Sequence, residues 1–278
     1  MSLQFSKMHG LGNDFMVIDA ISQPFTPDAT RIKKWSNRHT GIGFDQLLIV
    51  ESAESNDVDF KYRIFNADGG EVTQCGNGAR CFARFVRENN LTDKDIIKVE
   101  TNAGLIQLEL ISATRVKVNM GVPRFEPQFI PLELTEQSNG ESYQISIDQQ
   151  EIHFNAVSMG NPHMVMQVDD VDLAQVESLG PMLESHPLFP ERVNVGFMQI
   201  INPGRFKLRV FERGVGETRA CGSGACAAMV VGRELGLLDP AAEAELSGGI
   251  LNMEWHGRGN PVMMTGDTAR IYEGQIEI

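Results

Sequence analysis

Four cysteines, two tryptophans and three tyrosines are all that 278 residues contain of those types. Thiols at that dilution cannot staple a chain of this size, so each is expected to be either chemical or simply buried. No apolar run is long enough to cross a membrane. The start MSLQFSKMHG lacks a charged n-region, an apolar h-region and a cleavage site, so no export signal is visible. These absences predict a cytoplasmic protein with no membrane partner. Basic residues are sparse as well. The formal charge is -13, and the one dense basic run is Arg31-Ile32-Lys33-Lys34. Nucleic-acid affinity rests on clustered Lys and Arg, so no nucleic-acid partner is expected and the run is read as a solvated helix face. Hydrophobic content of 42% with 22% charged residues is that of a globular protein, and the length suits two domains.

Short β-branched and apolar runs dominate: Gln46 to Val50, Tyr62 to Phe65, Ile96 to Glu100, Arg115 to Val118, Ile152 to Val157 and Lys207 to Phe211. They predict strands. Helical patterns are fewer: Asp28 to Arg38 after Thr26-Pro27, Gly76 to Glu88, Leu173 to Glu184, and Gly222 to Leu235 before Gly236. A mixed fold, rich in strand and poor in helix, follows. Pro123, Pro127, Pro131 and the Asn139-Gly140 turn make Gly121 to Ser142 the expected passage between domains.

The sequence also repeats itself. At an offset of 146, FNADGGEVTQCGNGA (Phe65 to Ala79) lies on FERGVGETRACGSGA (Phe211 to Ala225), with seven of fifteen positions identical. Two residues further in offset, Gly12-Asn13-x-x-Met16-Val17 lies on Gly160-Asn161-x-x-Met164-Val165. A period of half the chain indicates two related halves rather than a solenoid. Halves packed about a pseudo-twofold axis would bring equivalent residues together across a cleft.

In both copies Cys is followed by Gly-x-Gly-Ala and helix formers, which places Cys75 and Cys221 at a helix start. Unsatisfied amides and the macrodipole there favour thiolate and are expected to lower the thiol pKa from about 8.5 toward neutrality. Glycines without a Cβ let a carboxylate approach those amides. Two opposed thiols flanking one carbon are what inversion of a stereocentre beside a carboxylate requires: one removes the α-hydrogen and the other protonates the opposite face. Cys81 and Cys226 point to other helix faces and are read as buried packing, and neither spacing is a zinc motif. A disulfide between Cys75 and Cys221 is feasible if they face each other, as an inactivating event. GIGFDQ (Gly41 to Gln46) and GVGETR (Gly214 to Arg219) lack the ending of a P-loop, and no GxGxxG opens a helix after a strand, so nucleotides are disfavoured.

The segments HGLGNDFMVID, FNADGGEVTQCGNGARC, GNPH (Gly160 to His163) and ERGVGETRACGSGAC closely resemble the diaminopimelate epimerase family, in an order and spacing that cover almost the whole chain. The resemblance implies a cofactor-independent and metal-free isomerase of lysine and peptidoglycan biosynthesis that interconverts LL- and meso-2,6-diaminopimelate. It implies an α/β (α+β) fold of two pseudo-symmetric domains, each a barrel-like, mostly antiparallel sheet around a central helix. The last strand returns to the first domain, so the halves are 1–121 with 267–278, carrying Cys75, and 122–266, carrying Cys221. Carried over by position, Cys75 and Cys221 match the acid/base pair, and Gly76-Asn77 and Gly222-Ser223 the amides that hold the reacting carboxylate. Asn13, Gln46, Asn66, Asn161, Asn194, Glu212 and Arg213 match substrate contacts, with Glu212 and His163 also near the chemistry. Tyr272 matches a residue of the homodimer interface.

Each of these has a plainer reading. Asn13, Asn161 and Asn194 adjoin Gly, Pro or strand ends, where Asn builds turns. Glu212 and Arg213 fit a surface ion pair, His163 a hydrogen-bonded core residue, and Tyr272 strand packing. Against the ion-pair reading, Asn66-Ala67 of the first copy becomes Glu212-Arg213 in the second. A near-symmetric scaffold that binds its substrate in one orientation needs such a difference. A proline or hydroxyproline racemase of the same superfamily, a non-catalytic amino-acid binder and a thiol redox sensor stay open as alternatives.

Overall fold

Runs in which every second side chain is buried become strands, as along Phe60–Asn66, where Phe60, Tyr62 and Ile64 face the core. The computed structural model describes residues 2–72, 75–133, 142–147 and 149–277. The chain divides into two compact units, 1–119 with 265–278 and 120–264. The Asn139-Gly140 turn and Gln74 lie outside the described residues.

The first unit contains β1 (Ser2–Gly10), β2 (Asn13–Asp19), α1 (Ala29–Ser36), β3 (Gln46–Ser52), β4 (Phe60–Asn66), β5 (Glu71–Val72), α2 (Gly76–Glu88), β6 (Ile96–Thr101), β7 (Gly104–Leu110) and β8 (Arg115–Asn119). Pairing is antiparallel for β1 with β2, β3 with β4, β4 with β5, β6 with β7 and β7 with β8, and parallel for β2 with β3 and β4 with β6. The C-terminal strands β17 (Met263–Asp267) and β18 (Ala269–Glu277) add to β8 and, antiparallel, to β1.

The second unit contains β9 (Ser142–Ile147), β10 (Gln150–Ser158), β11 (Pro162–Gln167), α3 (Val176–Glu184), β12 (Asn194–Asn202), β13 (Arg205–Glu212), β14 (Gly216–Thr218), α4 (Gly222–Glu234), β15 (Ala241–Leu246) and β16 (Gly249–Glu254). From β10 onward it repeats the first unit's pattern. Pairing is antiparallel for β10–β11, parallel for β11–β12, antiparallel for β12–β13 and β13–β14, parallel for β13–β15 and antiparallel for β15–β16. The half-chain repeat in the sequence is therefore a repeat of topology. It extends to side chains. Arg63 grips Glu71 with two hydrogen bonds of 2.7 and 2.8 Å, and Arg209 grips Glu217 with two of the same lengths. Such bidentate pairs fix the hairpin that leads into each cysteine.

In each unit one helix is buried by the sheet. α2 packs on β1, β2, β3, β7 and β8, and α4 on β10, β11, β12, β13, β15 and β16. A sheet whose first and last strands touch the same helix must curve around it. Both helices accordingly bury ten of their thirteen residues, including Phe82 and Phe85 in α2 and Met229 to Val231 in α4. Each fully buried side chain of this size stabilises by about 1.5–3 kcal/mol.

The shorter helices depart from the sequence reading at their ends. α1 starts after Asp28, whose carboxylate caps Arg31 N at 2.7 Å, and stops at Asn37, which turns to extended backbone. Its basic run divides as expected, with Lys33 and Lys34 exposed and Ile32 buried. α3 begins at Val176 instead of Leu173, which is exposed, because Asp170 first folds into a turn that accepts from the Asp172 amide at 2.9 Å.

Candidate active site

Both motif cysteines are N-cap residues in extended backbone, Cys75 at φ -146° and Cys221 at φ -106°. Their thiols therefore sit where the first amides of a buried helix are exposed. Cys75 is partly exposed and accepts from Gly78 N at 3.5 Å, whereas Cys221 is buried. Cys81 and Cys226 lie within the helices and are fully buried, and burial pushes the Cys81 thiol up to about 12. That keeps Cys81 protonated and inert.

The glycines of CGxG do more than expose amides. A Cβ on Gly78 would fall inside contact distance of the Tyr62 hydroxyl and 3.2 Å from Leu48 Cδ2. A Cβ on Gly224 would lie 2.9 Å from Val210 Cγ2. The second glycine of each motif is thus the point where helix meets sheet.

Around Cys75 the first unit gathers Asn13 from the start of β2 and Asn77 from α2. Asn13 Oδ1 lies 3.7 Å from the sulfur and accepts from Asn77 Nδ2 at 3.3 Å. Gln46, the first residue of β3, stands opposite Phe15 on β2 and Asn66 on β4, and donates to Asn66 Oδ1 at 2.9 Å. Gln46 Oε1 is buried with no hydrogen-bond partner among the described residues.

The second unit fills the corresponding positions differently. Asn161 corresponds to Asn13, Asn194 to Gln46, Glu212 to Asn66 and Ser223 to Asn77. Cys221 Sγ donates to Glu212 Oε2 at 3.1 Å, while Glu212 Oε1 accepts from the Thr218 hydroxyl. Burial, then the Glu212 charge and its hydrogen bond, push the Cys221 thiol well above its ordinary range. The Gly224 N–H and Ser223 oppose this more weakly, and the N–H is not aligned as a cap. The sequence reading of a thiol lowered toward neutrality by the helix start is corrected at Cys221, where burial and an adjacent carboxylate outweigh the dipole.

His163 is buried and hydrogen-bonds Asn161 Oδ1 through Nε2 at 3.0 Å. Burial foremost, with the Arg213 charge, pushes its pKa down to about 3, so it is neutral at working pH. The Asn161 amide then points Nδ2 at Ser223 Oγ, 3.4 Å away. Asn194 donates to Pro162 O at 2.9 Å and accepts from Arg213 N at 3.0 Å, which seats the exposed Arg213 beside this group. Tyr272 lies on β18 opposite Lys7, half-exposed and edge-on to Phe5.

One feature carried no sequence signal. Asp14, Arg38 and Asp45 form a charged cluster behind Asn13, with Arg38 Nη2 2.8 Å from Asp14 and 2.7 Å from Asp45. Lys7 joins it at 2.6 Å from Asp14. Burial works against the Asp14 charge, but hydrogen bonds from Arg38 and Lys7 hold its carboxyl well below the usual range.

Comparison with known proteins places the chain in a family. The family model described as diaminopimelate epimerase matches residues 5–126 and 155–271. Proteins named diaminopimelate epimerase from Ectopseudomonas mendocina and Pseudomonas aeruginosa are each 55% identical over 278 residues, covering all of both chains. Among solved structures, a hydroxyproline epimerase from Agrobacterium vitis superposes with a TM-score of 0.73 at 16% identity, covering 99% of this chain and 92% of its own. A phenazine biosynthesis protein of the PhzF family from Bacillus anthracis gives 0.66 at 16% identity, covering all of both. These two share the fold. With both segments of the family model matched and relatives 55% identical over its whole length, the chain belongs to the diaminopimelate epimerase family.

Proposed function

We propose that the chain epimerises LL-2,6-diaminopimelate to the meso form with Cys75 and Cys221 as alternating base and acid. One thiolate takes the α-hydrogen as a proton, the electron pair moves into the carboxylate, and the other thiol returns a proton to the opposite face of the same carbon. In the reverse direction the two exchange roles. The observation that carries this reading is the duplicated N-cap cysteine, one per unit, each with an oxygen within hydrogen-bonding reach of its sulfur: Asn13 Oδ1 for Cys75 and Glu212 Oε2 for Cys221. Amides at each helix start, Gly76-Asn77 and Gly222-Ser223, suit the negative charge that develops on the reacting carboxylate.

The far end of the substrate is a second zwitterion. Arg213 supplies a fork for its carboxylate, and the buried Gln46 Oε1 and the amides of Asn66, Asn161 and Asn194 supply acceptors and donors for the rest. Glu212 accepts the Cys221 proton when that cysteine must act as base. Glu212→Gln keeps the shape and removes the acceptor charge, so kcat is expected to fall about a hundredfold with KM changed little. An unchanged kcat would remove Glu212 from the proton path.

The reaction belongs in the supply of meso-diaminopimelate for lysine and peptidoglycan, in the cytoplasm. The half-exposed Tyr272 on β18 suits a homodimer contact. The test of the activity is proton NMR of LL-diaminopimelate in deuterated buffer, with free proline as the competing substrate. Loss of the α-proton signal from diaminopimelate, with proline untouched, is expected. Exchange into proline alone would assign a proline racemase, and exchange into neither would leave a binder or a thiol sensor.

A further inference from the structure

The two cysteines reach an acceptor by different routes. In the second unit it is a carboxylate, Glu212, at the end of β13. The corresponding position at the end of β4 is Asn66, engaged by Gln46, and the oxygen facing Cys75 comes from Asn13 on β2. A primary amide can present either its oxygen or its NH2 to a neighbour, with opposite effects: oxygen favours thiol, N–H favours thiolate. What fixes the amide therefore decides the state of the sulfur.

Here charges at both ends fix it. Asn13 Nδ2 donates to Asp45 Oδ2 at 3.0 Å, and a carboxylate can only accept. At the other end, the buried Arg80 donates from Nη2 to Asn77 Oδ1 at 2.9 Å, which turns Asn77 Nδ2 toward Asn13 Oδ1. A guanidinium can only donate, so the relay runs one way, from Arg80 through Asn77 and Asn13 to Asp45. Asp45 is itself anchored. Its second oxygen accepts from Arg38, its Oδ2 also accepts the Asp14 N–H at 3.0 Å, and its own N–H donates to Asp14 Oδ1 at 2.9 Å.

We propose that Asp45 is a positioning residue that, acting through Asn13, presents an amide oxygen to the Cys75 sulfur and so holds it as thiol until substrate binds. This rests on the reading of Cys75 as one of the acid/base pair. Asp45 touches neither the sulfur nor, in this role, the substrate. Tyr62 on β4 and Cys81 on α2, both fully buried, also bear on Cys75 electrostatically, and the Gly78 N–H donates to the sulfur from α2. Arg38 pairs with both Asp45 and Asp14, and Lys7 pairs with Asp14.

The experiment is the pH dependence of iodoacetamide alkylation at Cys75, read by peptide mass spectrometry in the full-length chain with Cys221→Ser as background. Asp45→Ala frees the Asn13 amide to turn its NH2 toward sulfur, and the apparent pKa of Cys75 is expected to fall by about one unit. Asn13→Ala should lower it comparably, and the double variant no further than Asn13→Ala alone, because one residue acts through the other. Asp45→Asn, which can still offer an oxygen to Asn13 Nδ2, should restore the parent value. If Asp45→Ala does not fold, Asp45→Ser carries the same expectation. An unchanged Cys75 profile, or shifts that add in the double variant, overturns the proposal. Alkylation needs no turnover, so that outcome would leave the α-hydrogen exchange of the unmodified protein intact. Failure of the epimerase reading would abolish that exchange in the unmodified protein and leave the alkylation result standing.

Discussion

Replacing either Cys75 or Cys221 by alanine is expected to lower the turnover of LL-diaminopimelate about a thousandfold or more, whereas Cys81→Ala and Cys226→Ala should keep it within a few-fold. The contrast follows from position. Cys75 and Cys221 cap their helices, while Cys81 and Cys226 lie inside them with no exposed surface. Removing a buried sulfur leaves a small cavity and costs stability on the order of 1–2 kcal/mol, without touching proton transfer. Cys75 is partly exposed and Cys221 is buried at its helix start, and in the proposed mechanism removing either takes away the proton carrier itself. In the proposed mechanism neither thiol can cover for the other, because each must address its own face of the carbon. Steady-state kinetics of the four variants, with melting curves to separate folding from chemistry, give the check. A cap-position variant with near-normal kcat would remove that cysteine from the mechanism.

Gly78→Ala is expected to be the most damaging substitution outside the thiols. Its new methyl group would overlap the Tyr62 hydroxyl and crowd Leu48 Cδ2 and Phe15 Cε1, at 3.2 and 3.4 Å. Tyr62 is fully buried, its ring packed edge-on to Phe82 with centroids 5.0 Å apart, so it has nowhere to move. Overpacking of this kind costs about 1–3 kcal/mol or more, and here it would also tilt the helix start that carries Cys75. The cause can be isolated. Tyr62 OH has no hydrogen-bond partner among the described residues, so Tyr62→Phe alone should be neutral or slightly stabilising, and combined with Gly78→Ala it should recover much of the loss. Additive losses in the double variant would place the clash elsewhere.

Much of the architecture was legible because it is local. Cysteine followed by Gly-x-Gly-Ala marks a helix start, and α2 runs from Gly76 to Glu88 as its pattern indicates. The half-chain repeat foretold the shared topology because the identities fall on residues with the same task in each unit. The repeated Glu is one example, since Glu71 and Glu217 each take the fork of the matching arginine. The state of Cys221 was not legible. A helix start argues for thiolate, and only the fold shows Glu212 at 3.1 Å and the burial that reverses the argument. Nor was the cluster of Lys7, Asp14, Arg38 and Asp45. Its members come from β1, β2 and the loop between α1 and β3, with spacings set by how those segments meet and by no periodicity. The plain reading of His163 as a hydrogen-bonded core residue describes its contact with Asn161, which sequence offered as one of two equal choices.

Two thiols acting on opposite faces leave an isotopic signature that one base cannot produce. LL-diaminopimelate is incubated with the enzyme in deuterium oxide, stopped at a few per cent conversion, and the LL and meso isomers are separated and weighed by mass spectrometry. Each meso molecule should carry one deuterium at the inverted carbon while the recovered LL substrate carries almost none, because the thiol that removes hydrogen is not the one that supplies it. Deuterium appearing equally in recovered substrate and product, or product that retains the original hydrogen, would mean that a single base serves both faces.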